Sequence, residues 1–497
     1  MQSFRIGALA AAFVLGGCAA FPAGRGLNET HQLVADRGVA SAPAQGPRDC
    51  TSADAEVSKL AAQSLTADAA VQLALLCNVE LAADYARLGI ARAEAFQAVR
   101  FANPTLHAAM LDSSAHSAPA QIELGLVQNF TNLLLRGAKT RSAEGEFLRT
   151  QQLLAGSVLR TSAEAKADYY TLVGAQQVAS MRHAIADALQ TGYDLAQRFH
   201  DAGNLTAHAL AQSGADLAEA QIAARRADDD VAHARARLEL RLGVPATVPW
   251  SVPDRMALPV LVEDETPALQ ARAAQNRLDL AAATHLVTLL ADNAETTRKY
   301  RWLGDVEVGI SYEREPDRSR LLGPSLSIQL PIFDQGQGAL ARVTALQDWS
   351  AAERRRLTQS VDTEVRLAAQ RVHSARARSE DYRGNLIPQR QTVVARTQEE
   401  VNFMLSGVFE LIGARRAEFE ADLGYLEALR DYWIARADLE RAVGANVPSA
   451  AQPAADSVSV QQLLASPPAK AGRHHHHRDM PMPESDPPHA DQHGEQP

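Results

Sequence analysis

Two short stretches of alternating apolar and polar residues interrupt a chain that otherwise carries helical periodicity, and they recur at one offset. Ile122, Leu124 and Leu126 in QIELGLVQ answer Leu326, Ile328 and Leu330 in GPSLSIQLPIFDQGQ, where Ile332 continues the pattern. Period-two alternation puts one face of an extended strand in an apolar phase and the other in water. The same offset joins FHDAGNL (Phe199 to Leu205) to FMLSGVF (Phe403 to Phe409), superposing Gly203 on Gly407. NVELAA resembles RLDLAA upstream, and ARARLELRLG answers ARADLERAVG downstream. Each half therefore reads helix, strand pair, very long helix, glycine turn and returning helix, a tandem duplication.

A partner strand precedes each alternating stretch. DVEVGISYE sets Val306, Val308, Ile310 and Tyr312 against polar or small neighbours; the first-half counterpart, NPTLHAAML from Asn103, is weaker. EREPDRSRLLG between the second pair is charged and suits an external loop. About nine to eleven residues suffice for a tilted strand to cross a bilayer. A soluble hairpin with one buried face would alternate in the same way. Four strands cannot close a transmembrane barrel, since the smallest single-chain barrels have about eight and open edges are not tolerated in lipid. The chain must then oligomerise. From about Gly338 to Phe403, Leu357, Val361, Val365 and Val372 recur at helical spacing, a helix of roughly 100 Å. Phe419, Leu423, Leu426, Leu429 and Trp433 keep the steps of a coiled-coil seam on the return. The predicted fold is mainly α with a small β part.

The first residues, MQSFRIGALAAAFVLGGC, carry a basic Arg5, a short apolar run and small residues before Cys18, the pattern of an export signal cleaved and lipidated at Cys18. Ala19 after it suits sorting to the outer membrane. Cys50 and Cys77 are the remaining cysteines, and an even pair in an oxidising compartment reads as a disulfide. No other stretch reaches the 18 or so apolar residues of a transmembrane helix. Of the 497 residues only 5% are aromatic, and the net charge of −10 argues against a nucleic-acid partner. Asp228, Asp229 and Asp230 read as a solvated helix face. There is no phosphate loop, no zinc-protease signature, no nucleophile elbow and no paired-cysteine motif, so no enzyme and no cofactor is expected.

The duplicated block, YARLGIARAEAFQAVRFANPTL from Tyr85, GPSLSIQLPIFDQGQ and the glycine turns together resemble the TolC-like outer-membrane efflux family, in particular its lipoprotein cation-efflux (CzcC/CusC-like) branch. The resemblance covers roughly Leu65 to Val447. It implies a homotrimer in which twelve strands form a barrel in outer-membrane lipid and twelve helices form a coiled-coil tunnel, an α-barrel, across the periplasm. A periplasmic adaptor and an inner-membrane pump would supply the energy. Domain limits follow: 1–17 signal peptide, 18–64 N-terminal periplasmic segment, 65–247 first repeat, 248–265 linker, 266–447 second repeat, and 448–497 a disordered His/Met/Pro-rich tail. The resemblance maps adaptor-docking tips to Gly203, Asn204 and Leu205 and to Gly407, Val408 and Phe409; a purely conformational role for these glycines, at positive φ, is the alternative. Relatives often close the tunnel with acidic residues after the second tip, where this chain has Glu410, Arg415 and Arg416 and no aspartate.

The expected function is the exit duct of a tripartite efflux system, for heavy-metal cations such as copper, silver, zinc or cobalt. A drug-efflux or type I secretion duct shares the same fold, while a periplasmic adaptor or a structural coiled-coil lipoprotein lacks a reason for two amphipathic hairpins. In the tail, His474, His475, His476 and His477 with Met480, Met482, His489 and His493 offer imidazole and thioether ligands that suit copper, silver or zinc. A flexible low-affinity metal collector, an inert tail and an expression tag remain alternatives for it.

Overall fold

The computed structural model describes residues 24, 26–39, 46–51, 54–62, 64–112, 120–447 and 457–465. Three short helices lead in: α1 (Leu27–Ala35), α2 (Ala55–Ala61) and α3 (Ala67–Cys77). The first half then runs α4 (Val79–Ala98), β1 (Thr105–Leu111), β2 (Gln121–Asn129), α5 (Phe130–Asp201) and α6 (Ala207–Leu242). After β3 (Arg255–Ala257) and α7 (Thr266–Asn276) the same order returns as α8 (Leu278–Tyr300), β4 (Val306–Arg314), β5 (Arg320–Ile328), α9 (Gln337–Asp381), α10 (Ile387–Asn402) and α11 (Val408–Val443). A short strand β6 (Ser457–Ser459) and helix α12 (Val460–Leu464) close the described chain.

The 72-residue α5 is close to 108 Å long by its rise of about 1.5 Å per residue. It begins where the Asn129 side chain accepts the Asn132 amide at 2.8 Å, filling one of the unpaired N-terminal donors. Its buried stripe is rich in Ala, Gly and Ser, which lets neighbouring helices approach closely: a Cβ added at Gly174 would lie 2.4 Å from Cγ of Arg430 on α11.

The expected long helix from Gly338 to Phe403 is continuous from Gln337 to Asn402, but it contains a π turn. Tyr382–Leu386 form a π turn between α9 and α10. Pro388 follows it, and its lack of an N–H removes an i→i−4 bond, so a wider turn there takes up the register. Val361, Val365 and Val372 are buried, as are Leu423, Leu426 and Leu429, while Leu357, Phe419 and Trp433 are half-buried.

At each level the described residues form a layer of four staves with two open edges. The strands lie in the order β1-β2-β4-β5, all antiparallel. Below them α4, α5, α8 and α9 pack side by side, and towards the far end the order becomes α6, α5, α11 and α9 followed by α10. No single described helix is long and apolar enough to cross a membrane.

A thick girdle fills the middle of the molecule. Residues 248–265 are packed into it, with Trp250, Met256 and Val260 buried. β3 pairs there with β6, which corrects the expectation of a structureless 448–497. Val460 is buried and Val458 and Leu463 pack on the core, enough apolar surface to dock nine residues. The rest of that stretch lies outside the described residues.

Cys50 and Cys77 are bonded, with Cα atoms 5.5 Å apart at a sequence separation of 27. This ties the N-terminal segment to the end of α3. Restoring loop entropy to the unfolded chain by reduction is expected to cost roughly 3 kcal/mol. Denaturant melts with and without reductant, compared with a Cys50→Ser/Cys77→Ser chain, check it; equal midpoints would make the bond dispensable.

Candidate functional site

The strand register sorts every side chain of the sheet onto one of two faces. Leu106 sits opposite Leu126, Leu126 opposite Ile310, and Ile310 opposite Pro324. The same face carries Met110, Ile122, Leu124, Val308, Leu322 and Leu326. Its only charged residues are Arg314 and Arg320, paired at the turn end of β4 and β5. These apolar side chains are largely exposed: Leu106 by 71%, Leu322 by 75%, Leu326 by 65%. The opposite face is mostly polar or small, with Leu111, Val127 and Leu321 as its large apolar side chains. Gly125 faces Ser311, Glu123 faces Glu313, Gly309 faces Ser325 and Glu307 faces Ser327. The Gln121 amide donates to both Glu123 and Glu313, bridging the two carboxylates. β2, β4 and β5 have nine residues each, the lower end of the roughly nine to eleven that a tilted strand needs to cross a bilayer.

The strand limits differ from the alternation in the sequence. β5 starts at Arg320 and stops at Ile328, so Leu330 and Ile332, 69% and 65% exposed, lie beyond it. The ladder's last bond runs from the Gln329 amide to the Asp305 carbonyl at 2.8 Å; past it Pro331 has no N–H to offer. At the other end the charged stretch shrinks to a tight turn. The Ser319 amide donates to Asp317 at 2.7 Å, Arg318 takes φ 74°, and Leu321 and Leu322 join the strand.

Cap geometry re-registers the tips. Gly203 takes φ 76° just after α5, and the residue in that role after α10 is Met404, at φ 58°. Gly407 instead has φ −86° and is the N-cap of α11, the counterpart of Thr206 before α6. The glycines aligned by sequence thus do different work, and the expected positive φ at Gly407 is not found. Phe403, Met404 and Leu405 form the exposed end, Met404 by 94%. Phe199 and Phe409 meet edge to face at 6.1 Å, linking the two tips. Asn204 and Leu205 lie in the first turn, where the Leu205 carbonyl is hydrogen-bonded to His200 Nδ1 at 2.8 Å.

The residues after the second tip are engaged locally. Glu410 caps α11, accepting from the Gly407 amide at 3.3 Å and from the Ser406 hydroxyl. Arg415 pairs with Glu418 at 2.8 Å and Arg416 with Asp216 of α6 at 3.5 Å.

One turn further lies a carboxyl with no sequence signal. Asp422 is 2% exposed and its Oδ1 has no hydrogen-bond partner. Burial, and then the neighbouring Glu418 carboxylate, push its pKa up to about 7. The folded state thus holds a proton that the unfolded state releases near pH 4, so stability falls as pH rises from about 4 to about 7. Asp422→Asn is expected to flatten that slope and raise stability at pH 8, by about 1.4 kcal/mol for each tenfold difference in proton affinity between the folded and unfolded chains that it removes. Thermal melts at pH 5 and pH 8 check it; a variant no more stable than the parent at pH 8 would refute it.

Among the described residues no group of three His, Cys, Asp or Glu side chains is placed to hold a metal ion. Cys18 and the tail residues from His474 to His493 lie outside the described residues.

No family model matches the chain. It is 24% identical over 417 residues, 77% of this chain and 91% of the relative, to the cobalt-zinc-cadmium resistance protein CzcC of Cupriavidus metallidurans. Among solved structures it resembles CusC with a TM-score of 0.63 at 15% identity, covering 79% of this chain and 93% of that one. The open-state outer-membrane channel MtrE of Neisseria gonorrhoeae gives a TM-score of 0.62 at 16% identity, with 79% and 89% covered. The CmeC outer-membrane channel of Campylobacter jejuni gives 0.61 at 14%, with 81% and 88% covered.

Proposed function

We propose that the chain, which is similar in sequence and fold to outer-membrane efflux channels, is a TolC-like exit duct of a tripartite efflux system and works as a homotrimer. The observation that carries this reading is a four-stranded sheet with one apolar, exposed face and two unpaired edges. In lipid, each edge amide and carbonyl costs several kcal/mol unless another strand satisfies it. Three copies, β5 of one against β1 of the next, close twelve strands into a barrel. The open edges of the helical layers lie beneath on the same sides, so one rotation would close all levels.

In that assembly the apolar face meets outer-membrane lipid and the polar face lines the bore, where Glu123, Glu313 and Glu307 give it an acidic wall suited to cations. Passage is the activity, and no catalytic step is needed. Cys18 would carry the lipid anchor. Gly203, Asn204 and Leu205 and the second tip, extended to Phe403, Met404 and Leu405, would meet a periplasmic adaptor linked to an inner-membrane pump. The cargo is heavy-metal cations, supported by likeness to a protein named for cobalt, zinc and cadmium resistance.

Native mass spectrometry of the chain in mild detergent tests the assembly: a trimer is expected, and a stable monomer would overturn it. For the cargo, a deletion strain should lose tolerance to cobalt, zinc, cadmium or copper and regain it with the gene. Sensitivity to organic drugs alone would shift the duct to drug export.

A further inference from the structure

The sheet ends, on the side where its strands meet the helices, at a level with its own chemistry. Phe101 precedes β1, Phe130 follows β2, Trp302 precedes β4 and Phe333 follows β5, so each strand end on this side carries an aromatic ring. All four are exposed, Phe101 by 65% and Phe333 by 93%. The turn at the opposite end, residues 315–319, contains no Phe, Trp or Tyr, and neither does the sequence between β1 and β2, residues 112–120.

Cations are laid on rings at the same level. The Arg136 guanidinium lies 4.3 Å from the centre of Phe101, that of Arg301 4.6 Å from Trp302, and the Lys299 ammonium 5.4 Å from Tyr300. Arg100 lies 4.4 Å from Phe96. Arg136 is further fixed by two donations to the Val99 carbonyl, at 2.9 and 2.7 Å. Of the nearby acids, Asp334 accepts the Gly336 amide at 2.9 Å and so caps its own loop.

We propose that this belt is a binding surface for the phosphate headgroups of anionic phospholipid in the leaflet facing the helical domain. Amphipathic rings settle at the boundary between hydrocarbon and water, which fixes the depth of the belt. The guanidinium groups of Arg136 and Arg301 are held over rings, and their planar donor forks suit phosphate oxygens. The belt lies at the ends of the strands that carry the apolar face, and its Arg100, Arg136, Lys299 and Arg301 are opposite in charge to its ligand. The proposal rests on the reading that the sheet spans a membrane.

The test uses the full chain reconstituted in vesicles of equal phosphatidylglycerol and phosphatidylcholine, then extracted, with retained lipids measured by native mass spectrometry. Phosphatidylglycerol should be enriched over its bulk share. Arg301→Gln, whose parent residue contacts a ring rather than the fold's hydrogen bonds, should lower that enrichment up to about fivefold, the equivalent of ~1 kcal/mol per cation near an anionic surface. Retention at the bulk ratio, or an unchanged ratio in the variant, would overturn the belt as a headgroup site. A chain that floats with the vesicles yet shows no preference sinks this inference alone; one that does not float sinks the membrane-spanning reading as well.

Discussion

Leu126→Arg is expected to abolish assembly in the outer membrane while leaving the helical half of the chain folded. Leu126 sits on β2 between Leu106 and Ile310, near mid-height of the apolar face. A charge at the bilayer midplane on the lipid face costs about 2–4 kcal/mol, and in a trimer the cost recurs in each copy, so the total approaches roughly 6–12 kcal/mol. Ser327→Arg is the control. It places the same side chain on the polar face opposite Glu307 and should be tolerated. Alkaline extraction of isolated outer membranes reads the difference. Equal retention of both variants would mean that the apolar face does not meet lipid.

A second large effect is expected at the girdle, where Glu263→Ala should destabilise the chain by about 3–5 kcal/mol, the range for stranding one member of a buried ion pair. The Glu263 carboxylate and the Arg436 guanidinium are 2.6 Å apart and only 4% and 5% exposed. Tyr432 donates its hydroxyl to Glu263 and accepts the Val260 amide at 3.0 Å, and Arg436 reaches the Val447 carbonyl at 3.1 Å. Burial pulls the Arg436 pKa down, and Glu263 with Tyr432 outweighs it, so the guanidinium stays charged. Removing the carboxylate leaves that charge buried and frees the stretch joining the two halves. Glu263→Ala/Arg436→Leu should recover much of the loss, since the cost lies in the unpaired charge. Calorimetric melting of the three chains checks it; a single variant within about 1 kcal/mol of the parent would remove the pair from the stability of the girdle.

The alternation of Val306, Val308, Ile310 and Tyr312 was enough to assign a strand with one apolar face, because side-chain direction in extended chain depends on parity alone. The stripes at Val361, Val365, Val372, Leu423, Leu426 and Leu429 were equally legible, since helical periodicity is local. A four-stave protomer that cannot close by itself followed from counting strands. What depended on a partner was not legible. β5 ends at Ile328 because β4 begins opposite it, although Leu330 and Ile332 keep the pattern in a loop. At the tips the matching of Gly203 to Gly407 failed: the left-handed position belongs to whichever residue follows the last helical turn, and after α10 that is Met404.

The buried chemistry lay furthest from sequence. Arg436 and Glu263 are 173 residues apart, and nothing in either neighbourhood marks them as partners. Asp422 reads as one more charge on a helix until α11 is packed. Its solvent and its nearest charge, and with them its proton, are set by which helices surround it. Local periodicity determined the elements and the face each presents; only the tertiary structure decided where each element stops and which charges lose water, because ladder ends, cap positions and desolvation belong to pairs of segments that the chain holds far apart.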